Sequence, residues 1–290
     1  MGAPPAEVEI GAELVRSLLD EQHPDLAGLA LRPLASGWDN VLYRLGDELV
    51  VRLPRRAMGA VLMEHELAWL PGLADGLPLP ISVPVRSGKP SGEYPWTWAV
   101  VPWFPGATAE ATPPADFDET AAALARFLVA FHRPAPADAP TSALRGIPLA
   151  ERAPFLRHDL DELGGAVDQR AILRRWAGLL DAPAWPGPPL WLHGDVHPLN
   201  LIVHAGVLSA VVDFGDLCQG DPASDLAVAW MLFPPGSRAQ FRSDLGADDG
   251  TWARARGWAL ALGVALANGD DRVRGLGHRT LAAVLADPAP

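Results

Sequence analysis

The sequence is poor in two residue types on which many protein functions depend. Among its 290 residues there is one cysteine, Cys218, and one lysine, Lys89. A single cysteine cannot form an internal disulfide, so the sequence does not require an oxidising compartment. We interpret Cys218 as a small buried residue rather than a nucleophile. Because arginine supplies nearly all of the positive charge, Lys89 is the one candidate for any function that requires a lysine.

Positive charge as a whole is also scarce. The chain has 23 lysines and arginines against 35 acidic residues, which leaves a formal net charge of −12 at pH 7. Such a chain repels polyanions, so it is unsuited to non-specific binding of nucleic acid or of anionic membranes. The charge favours a cationic small molecule as the partner.

Long hydrophobic runs are absent too. The longest clearly apolar stretch, around residues 258–267, is shorter than the about 20 residues that a helix needs to cross a bilayer. The N-terminal residues lack the basic and apolar regions of a signal peptide, and we therefore expect a cytoplasmic protein. With 49% apolar and 20% charged residues, the composition indicates a globular protein of two domains or two lobes.

The first third of the chain has the pattern of a small sheet accompanied by helices. Residues 8–20 space their apolar positions as a helix does. Residues 29–54 contain three short apolar runs separated by turn residues, which is typical of an antiparallel meander. A helix is predicted over residues 57–70. Two further strands are predicted over residues 81–86 and 96–103, with the lysine in the turn between them.

After residue 105 the pattern becomes mainly helical. Helices are predicted over residues 117–131 and 163–180, and again from Pro222 to the C-terminus. Three short β-like runs interrupt them, at residues 190–193, 201–203 and 208–213. This change of pattern divides the chain into two parts, residues 1–101 and residues 102–290.

Two short segments carry residue types suited to phosphoryl transfer. The first reads His-Gly-Asp195, with Asn200 five residues after the aspartate, and the second reads Asp213-Phe-Gly, thirteen residues after Asn200. Phosphoryl transfer requires an acidic residue beside the attacking hydroxyl, and amide and carboxylate oxygens that hold Mg²⁺ against the phosphates. The kinase motifs H-R-D-x-x-x-x-N and D-F-G have the same order and the same internal spacing. The pattern therefore indicates a kinase-type site.

Other enzyme classes fit less well. His193 and His197 flank Asp195 and could suggest a zinc hydrolase, but Gly194 and Pro198 oppose the helix that a histidine pair at this spacing requires. We interpret His197 as a loop residue without a chemical role. The motifs G-x-x-x-x-G-K-[ST], helix-opening G-x-G-x-x-G and G-x-S-x-G do not occur, which excludes P-loop, dinucleotide-binding and α/β-hydrolase enzymes.

These motifs resemble those of the aminoglycoside phosphotransferase family, whose relatives include macrolide, choline and other small-molecule kinases. The resemblance extends over most of the chain. In the first part it rests on residues 36–40, on residues 50–56 and on Glu66. In the second part it rests on residues 193–200 and 212–225.

The resemblance implies an α+β fold of the bilobal, protein-kinase-like type. Residues 1–101 are expected to form the N-lobe, a small antiparallel sheet with one inserted helix that binds the nucleotide. Residues 102–290 are expected to form a mainly helical C-lobe with the catalytic loop, the metal site and the acceptor-binding helices. The resemblance also implies Mg²⁺ as cofactor and ATP or GTP as phosphate donor.

The same resemblance implies individual roles in the second part of the chain. Asp195 is the expected catalytic base or hydroxyl-orienting residue. Asn200 and Asp213 are the expected magnesium ligands. His193 is expected to brace the catalytic loop, and Asp225 to accept hydrogen bonds from the backbone of that loop.

For the nucleotide, the resemblance implies a set of contacts in the first part of the chain. These residues are Ser36, Gly37, Asn40, Arg52, Glu66, Val101 and Trp103. Two of them depart from the kinase pattern. Arg52 stands where kinases have the phosphate-binding lysine, with Glu66 as its expected partner and Glu64 as the second choice. The loop at 36–40 has a single glycine, Gly37, in place of G-x-G-x-x-G.

The expected function is transfer of the γ-phosphate of ATP or GTP to a hydroxyl of a small molecule, first of all an aminoglycoside-type antibiotic. Such a cationic acceptor would use some of the acidic residues Asp159, Asp161, Glu162, Asp216, Asp221, Asp270 and Asp271, although these residues also suit a solvated surface. A macrolide or another small metabolite is the alternative acceptor. A nucleotide-binding protein without transfer is the second alternative, disfavoured because the expected catalytic and metal-binding residues are all present. The acceptor is expected between Asp195 and the helices of the C-lobe.

Overall fold

The protein is described from a computed structural model covering residues 4–92 and 94–287, with the side chain of Arg272 left out. The helices are α1 (Ala12–Gln22), α2 (Pro24–Ala27), α3 (Ala57–Leu73), α4 (Phe117–Phe131), α5 (Ala153–Leu163), α6 (Gln169–Leu179), α7 (Val228–Leu232), α8 (Pro235–Leu245), α9 (Asp249–Ala267) and α10 (Asp271–Ala286). The strands are β1 (Leu31–Ser36), β2 (Asn40–Leu45), β3 (Leu49–Pro54), β4 (Arg86–Gly88), β5 (Trp98–Pro102), β6 (Ala107–Thr108), β7 (Leu190–Leu192), β8 (Leu201–His204), β9 (Val207–Val211) and β10 (Cys218–Gly220).

The first five strands form one antiparallel sheet in the order β1-β2-β3-β5-β4. The predicted meander of three strands is confirmed as β1, β2 and β3. The strand predicted over residues 96–103 is confirmed as β5. The strand predicted over residues 81–86 is wrong except at its last residue, because Pro80 and Pro84 have no N–H to give to a ladder. Ile81 instead forms an isolated bridge with Val211, which joins this segment to β9.

Helices cover both faces of the sheet. Along β3 successive side chains point to opposite faces, so Val51 and Leu53 pack with the apolar side chains of α1 in one cluster. Val50, on the other face, packs with Met63 of α3 in a second cluster. Arg52 shares that second face, and its side chain is therefore directed toward α3.

Most of the remaining chain is helical, and one predicted helix matches in full. α4 spans the predicted residues 117–131, and the side chain of Asp116 caps it by accepting hydrogen bonds from two amides of its first turn. The single helix predicted over 163–180 is wrong in its first part. α5 ends at Leu163 because Gly164 adopts a positive φ of 55°, and α6 begins only at Gln169.

The short strands of the second part form two small antiparallel pairings that hold the kinase-like motifs. β7 pairs with β10, and the order in the other sheet is β6-β8-β9. The segment with Asp195 runs from β7 to β8, while Asp213 follows β9. No helix within residues 4–92 and 94–287 is long and apolar enough to span a membrane. The whole is a small antiparallel sheet attached to a helical bulk, as the expected fold class requires.

A buried ion pair ties α9 to the turn after β10. Nε and Nη2 of Arg254 lie 2.6 and 3.2 Å from the carboxylate oxygens of Asp221, and both side chains are at least 94% buried. Arg254→Met leaves that carboxylate buried without a cation, with only the N–H of Ala223 as a partner among the described residues, so we expect a loss of about 3–5 kcal/mol in the free energy of unfolding. Urea unfolding measures it. Arg274→Met is the control, because the Arg274–Asp271 pair is exposed and worth less than about 1 kcal/mol. Equal losses in the two variants would contradict this account.

Candidate active site

The loop of residues 193–200 is held at its start by one buried carboxylate. Asp225 has no exposed surface, and its two oxygens accept hydrogen bonds at 2.9 Å from the backbone N–H of His193 and of Gly194. Nε2 of His132 lies 3.0 Å from Oδ2 of the same carboxylate. Three donors thus stabilise the negative charge in the interior. His132 follows directly after α4 in no recognisable motif, and sequence reasoning missed it.

His193 joins this loop to the segment that follows β9. Its Nδ1 accepts a hydrogen bond from the N–H of Asp195 at 3.2 Å, which assigns the ring proton to Nε2. That nitrogen donates to the carbonyl of Val212 at 3.0 Å. The imidazole also packs on the ring of Phe214, with 4.4 Å between the ring centroids. His193 therefore sets the position of Asp195 relative to the Asp-Phe-Gly segment.

The two segments approach so closely that only glycine fits at position 194. Gly194 adopts a φ of 84°, and a Cβ there would lie 2.2 Å from the carbonyl oxygen of Asp216. A substitution would have to move one backbone away from the other. The small residue in His-Gly-Asp thus places Asp195 beside residues 213–216.

Both carboxylate oxygens of Asp195 have cationic or hydrogen-bonding partners. Nη2 of Arg145 donates to Oδ1 at 2.9 Å, and Nε2 of His197 lies 3.1 Å from Oδ2. Partial burial favours a raised pKa, but His197 and Arg145 outweigh it and lower the pKa of Asp195 well below its usual range. Asp195 in turn raises the pKa of His197 against the opposing effect of burial. The expectation that His197 is a bystander does not match this contact.

Arg145 is a second residue that sequence reasoning missed. The same Nη2 also donates to Oδ2 of Asp216 at 3.2 Å, so one guanidinium bridges two carboxylates. Its backbone N–H donates to the hydroxyl of Ser142 at 3.1 Å, in a turn between α4 and α5. No motif marks Arg145; the indirect signal is that two acidic residues facing one another, Asp195 and Asp216, need a cation between them.

Asn200 and Asp213 lie at the facing ends of β8 and β9. Nδ2 of Asn200 donates to the carbonyl of Asp195 at 3.0 Å, which leaves its Oδ1 as an acceptor. Asp213 has a positive φ of 64°, and 58% of its side chain is exposed. Within the described residues no group of three or more His, Cys, Asp and Glu side chains is arranged to hold a metal alone. Two hard oxygen donors do fit Mg²⁺, which is often completed by water and phosphate oxygens.

Arg52 forms a three-part charge network with Glu66 and Asp213. Its terminal nitrogens lie 2.6 and 3.0 Å from the two oxygens of Glu66, and 3.3 Å from Oδ1 of Asp213. Burial opposes the charge on Arg52, but the two carboxylates outweigh it and raise the pKa of the guanidinium. Burial also raises the pKa of Glu66, which Arg52 opposes. Of the two candidate glutamates, Glu66 is the one that contacts Arg52, whereas Glu64 is exposed.

The other expected nucleotide contacts lie on the sheet. The 36–40 turn is closed by a hydrogen bond from the N–H of Gly37 to the carbonyl of Asn40 at 2.8 Å, and Arg55 contacts the hydroxyl of Ser36 at 3.3 Å. Oδ1 of Asn40 is enclosed without a hydrogen-bond partner in the described residues.

Val101 and Trp103 lie at the end of β5 and just beyond it. Val101 pairs with Val50 of β3. The N–H of Trp103 donates to the carbonyl of Glu48 at 2.7 Å, and Arg44 lies over its ring at 4.1 Å. The N–H of Trp103 is thus already engaged, so any purine contact in this segment needs another backbone group.

The structure brings Asp195, Asn200, Asp213, Arg52 and Glu66 into one connected set of contacts. A family model described as the phosphotransferase enzyme family, APH, matches residues 30–258. The chain belongs to this family. A search of curated proteins found no significant match.

Solved structures of phosphotransferases are similar to this chain over nearly its whole length. One is the GDP complex of aminoglycoside 2'-phosphotransferase-IIIa, with a TM-score of 0.73 and 18% identity over 96% of this chain and 99% of that one. Another is macrolide 2'-phosphotransferase MphH from Brachybacterium faecium, with a TM-score of 0.59 and 20% identity over 96% and 98% of the two chains. A macrolide 2'-phosphotransferase type I has a TM-score of 0.62 and 19% identity over 99% and 100%. At these identities the likeness establishes the kinase-like fold of this phosphotransferase family member.

The Asp195–His197 contact makes the stability of the protein depend on pH. The pKa of His197 is raised on folding, so its contribution is fully present below the unfolded value near 6.5 and is lost as the pH rises through the folded value. We expect His197→Gln to lower the midpoint of thermal unfolding by about 2–6 °C at pH 6, from the loss of roughly 1–3 kcal/mol. The difference from the parent should shrink at pH 9. His204→Gln, at an exposed position on β8, is the control, and a loss that grows with pH contradicts the assignment.

Proposed function

We propose that this protein transfers the γ-phosphate of ATP or GTP to a hydroxyl of a small molecule in a magnesium-dependent reaction. The observation that carries the proposal is the position of Asp195, whose backbone carbonyl contacts Asn200 and whose loop is tied to the Asp213 segment through His193. Asp213 in turn contacts Arg52. In this proposal Asp195 faces the acceptor, Asn200 and Asp213 form the metal-binding pair, and Arg52 binds the phosphates. These groups are connected in that order, as phosphoryl transfer requires.

In this proposal Asp195 receives the hydroxyl of the acceptor. The acceptor oxygen forms a bond to the γ-phosphorus, the bond from that phosphorus to the β–γ bridging oxygen breaks, and ADP or GDP leaves. The hydroxyl proton passes to a carboxylate oxygen of Asp195. Because the pKa of Asp195 is lowered, the carboxylate is ionised and orients the hydroxyl first, with the proton transferred late.

On the nucleotide side, Arg52 pairs with phosphate oxygens while Glu66 holds it in place. Asn200 and Asp213 would hold Mg²⁺ through their side-chain oxygens, and the bound ion would supply positive charge to the phosphates. The residues expected near the nucleoside are Ser36, Gly37, Asn40, Val101 and Trp103. Similar structures include GDP complexes and an ATP-containing ternary complex of phosphotransferases, which supports a nucleotide donor. In this arrangement residues 1–101 form the nucleotide lobe and residues 102–290 form the rest of the site.

The acceptor class is the finer part of the proposal. Similar structures include kanamycin and gentamicin complexes of APH(2'') enzymes as well as macrolide phosphotransferases, and the first candidate from the sequence is an aminoglycoside. That acceptor needs free carboxylates for its amines. Asp216 is held by Arg145 and Asp221 by Arg254, whereas Asp271 stays exposed beside Arg274. The acids available to an amine-rich acceptor are therefore fewer than the composition suggests.

The roles of Asp195 and Asp213 can be separated by measuring transfer and nucleotide binding side by side. Asp195→Ala should lower the turnover number by about 10²-fold or more with little change in the dissociation constant of MgATP, because Asp195 faces the acceptor. Asp213→Ala should weaken magnesium-dependent ATP binding itself. A coupled assay for ADP release and a calorimetric titration with MgATP are the two measurements.

Asp181→Ala is the control for both, because Asp181 is exposed just after α6 and has no expected role in the site. Full turnover in Asp195→Ala removes the proposed role of that residue. ATP binding without transfer to any acceptor, in the parent protein, supports the non-catalytic alternative instead.

Replacements at Arg52 test whether its paired geometry or only its charge is needed. Arg52→Lys keeps the charge but cannot contact Glu66 through two nitrogens while also reaching Asp213, so we expect the KM for ATP to rise about tenfold. Arg52→Gln should raise it further and lower stability, since Glu66 is then buried without a cation. Steady-state kinetics at varied ATP, with the unfolding midpoint recorded for each variant, provides the measurement. Arg86→Gln, an exposed change on β4 of the same sheet, should match the parent, and parental kinetics in Arg52→Gln would show that another residue holds the phosphates.

A further inference from the structure

The guanidinium of Arg152 is buried without a counter-ion. Arg152 ends the 3₁₀ turn Leu149–Arg152 just before α5, and only 4% of it is exposed. Within the described residues it forms no ion pair and no hydrogen bond, and its Nε is fully enclosed. Arg52 and Arg254 are buried to a similar degree, but each contacts a carboxylate through two nitrogens. The difference calls for an explanation, because an unpaired buried charge destabilises a protein.

The neighbours of Arg152 compensate its charge only in part. Its guanidinium carbon lies 4.9 Å from the ring centroid of Phe155 and 5.6 Å from that of Trp258. Such cation–π contacts are weaker than the cost of removing an unpaired cation from water. Burial, and next the charge of Arg145, lower the pKa of Arg152 to about 10, while Asp159 acts in the opposite direction without forming an ion pair. Nε1 of Trp258 is likewise enclosed without a partner.

Arg152 lies seven residues after Arg145, in the segment that leads from the loop around Arg145 to α5. Arg145, whose charge acts on Arg152, contacts Asp195 directly. The segment that contacts Asp195 through Arg145 therefore carries a second arginine, Arg152, where it reaches the start of α5. Arg152 and the neighbouring Trp258 both have N–H donors without a hydrogen-bond acceptor in the part of the chain that the structure describes. A ligand that binds here gains most from oxygen atoms with negative charge.

We infer that the acceptor carries an oxyanion, a carboxylate or a phosphate monoester, in addition to the hydroxyl that is phosphorylated, and that Arg152 binds this group. The inference rests on the proposed function, since it takes Asp195 as the residue that faces the hydroxyl. The acceptor inferred here carries negative charge, whereas an aminoglycoside is polycationic. Arg145 remains with Asp195 and Asp216, whereas the two Nη groups of Arg152 have no protein acceptor among the described residues and are available to the ligand.

Glucose and three of its six-carbon derivatives separate these charges, and the two derivatives with negative charge are called the anionic hexoses for brevity. Gluconate has a carboxylate, glucose 6-phosphate a phosphate, glucose no charge and glucosamine an amine. Each is added to the protein with Mg²⁺ and ADP, so that phosphate-binding groups of the nucleotide site are occupied, and the unfolding midpoint and calorimetric binding are recorded. ADP release from ATP with each compound, and with kanamycin, is measured in parallel. We expect gluconate or glucose 6-phosphate to bind at least about tenfold more tightly than glucose or glucosamine; which of the two binds tells carboxylate from phosphate.

Arg152→Met tests the residue itself. It keeps an unbranched apolar stem against the aromatic rings and removes the charge, so the unfolding midpoint without ligand should stay the same or rise. The tenfold preference for the anionic hexose should disappear, while MgATP binding is unchanged. Arg157→Met, at an exposed position of α5, is the matched control. If Arg152→Met does not fold, Arg152→Lys replaces it, with the KM or dissociation constant for the anionic hexose expected to rise about tenfold as the fork is lost.

Binding of glucosamine or kanamycin in preference to both anionic hexoses overturns the inference. It is also overturned if no anionic hexose binds the parent more tightly than glucose, or if Arg152→Met binds the anionic hexose as the parent does. Binding of an anionic hexose that depends on Arg152 but is not followed by ADP release supports the anion site while contradicting the proposed transfer. The two failures are therefore distinguishable.

Discussion

The carboxylate of Asp225 fixes the backbone from which the rest of the site is built. Its two oxygens accept the consecutive N–H groups of His193 and Gly194, and His132 from the end of α4 supplies a third contact. The Asp225 carboxylate therefore joins three segments: the end of α4, the end of β7 and the turn after β10. The charge is tolerated in the interior only because all of these donors are present together. Loss of any one leaves a polar group buried without a partner, so the geometry of the loop is cooperative.

Arginine provides the positive charge at two points where the candidate site brings a pair of carboxylates together. Arg52 lies between Glu66 and Asp213, and Arg145 lies between Asp195 and Asp216. The planar guanidinium presents several donors in fixed directions, so one side chain can reach two carboxylates at once, which an ammonium group does less well. At these two points one arginine thus compensates two acidic residues.

The spacing of the two kinase-like motifs predicted the parts of the site that are local in sequence. Asp195 lies five residues before Asn200, and the β8–β9 hairpin brings the chain back so that Asp213 lies near Asn200. The alternation of side chains on β3 directs Arg52 toward α3. Arg145 and His132 were not predicted, because each reaches the site from a distant segment and no motif surrounds it.

In the fold, the regular amphipathic α4 was predicted to its ends. The strand expected over 81–86 and the unbroken helix expected over 163–180 failed where proline or glycine overrode the apolar pattern. The burial of Arg152 without a partner is likewise a property of tertiary packing that composition does not reveal.

The scarcity of lysine determines how this protein responds to chemical modification. Lys89 is exposed after β4, where its backbone N–H bonds to Gln22 at the end of α1. Acylating reagents attack deprotonated amines, whereas a guanidinium stays protonated and does not react under the same conditions. Apart from the α-amine of the chain, such a reagent modifies one amine, that of Lys89, and leaves the Arg52–Glu66–Asp213 network intact. Among side chains, attachment through an amine therefore takes place at one position, on the exposed segment after β4.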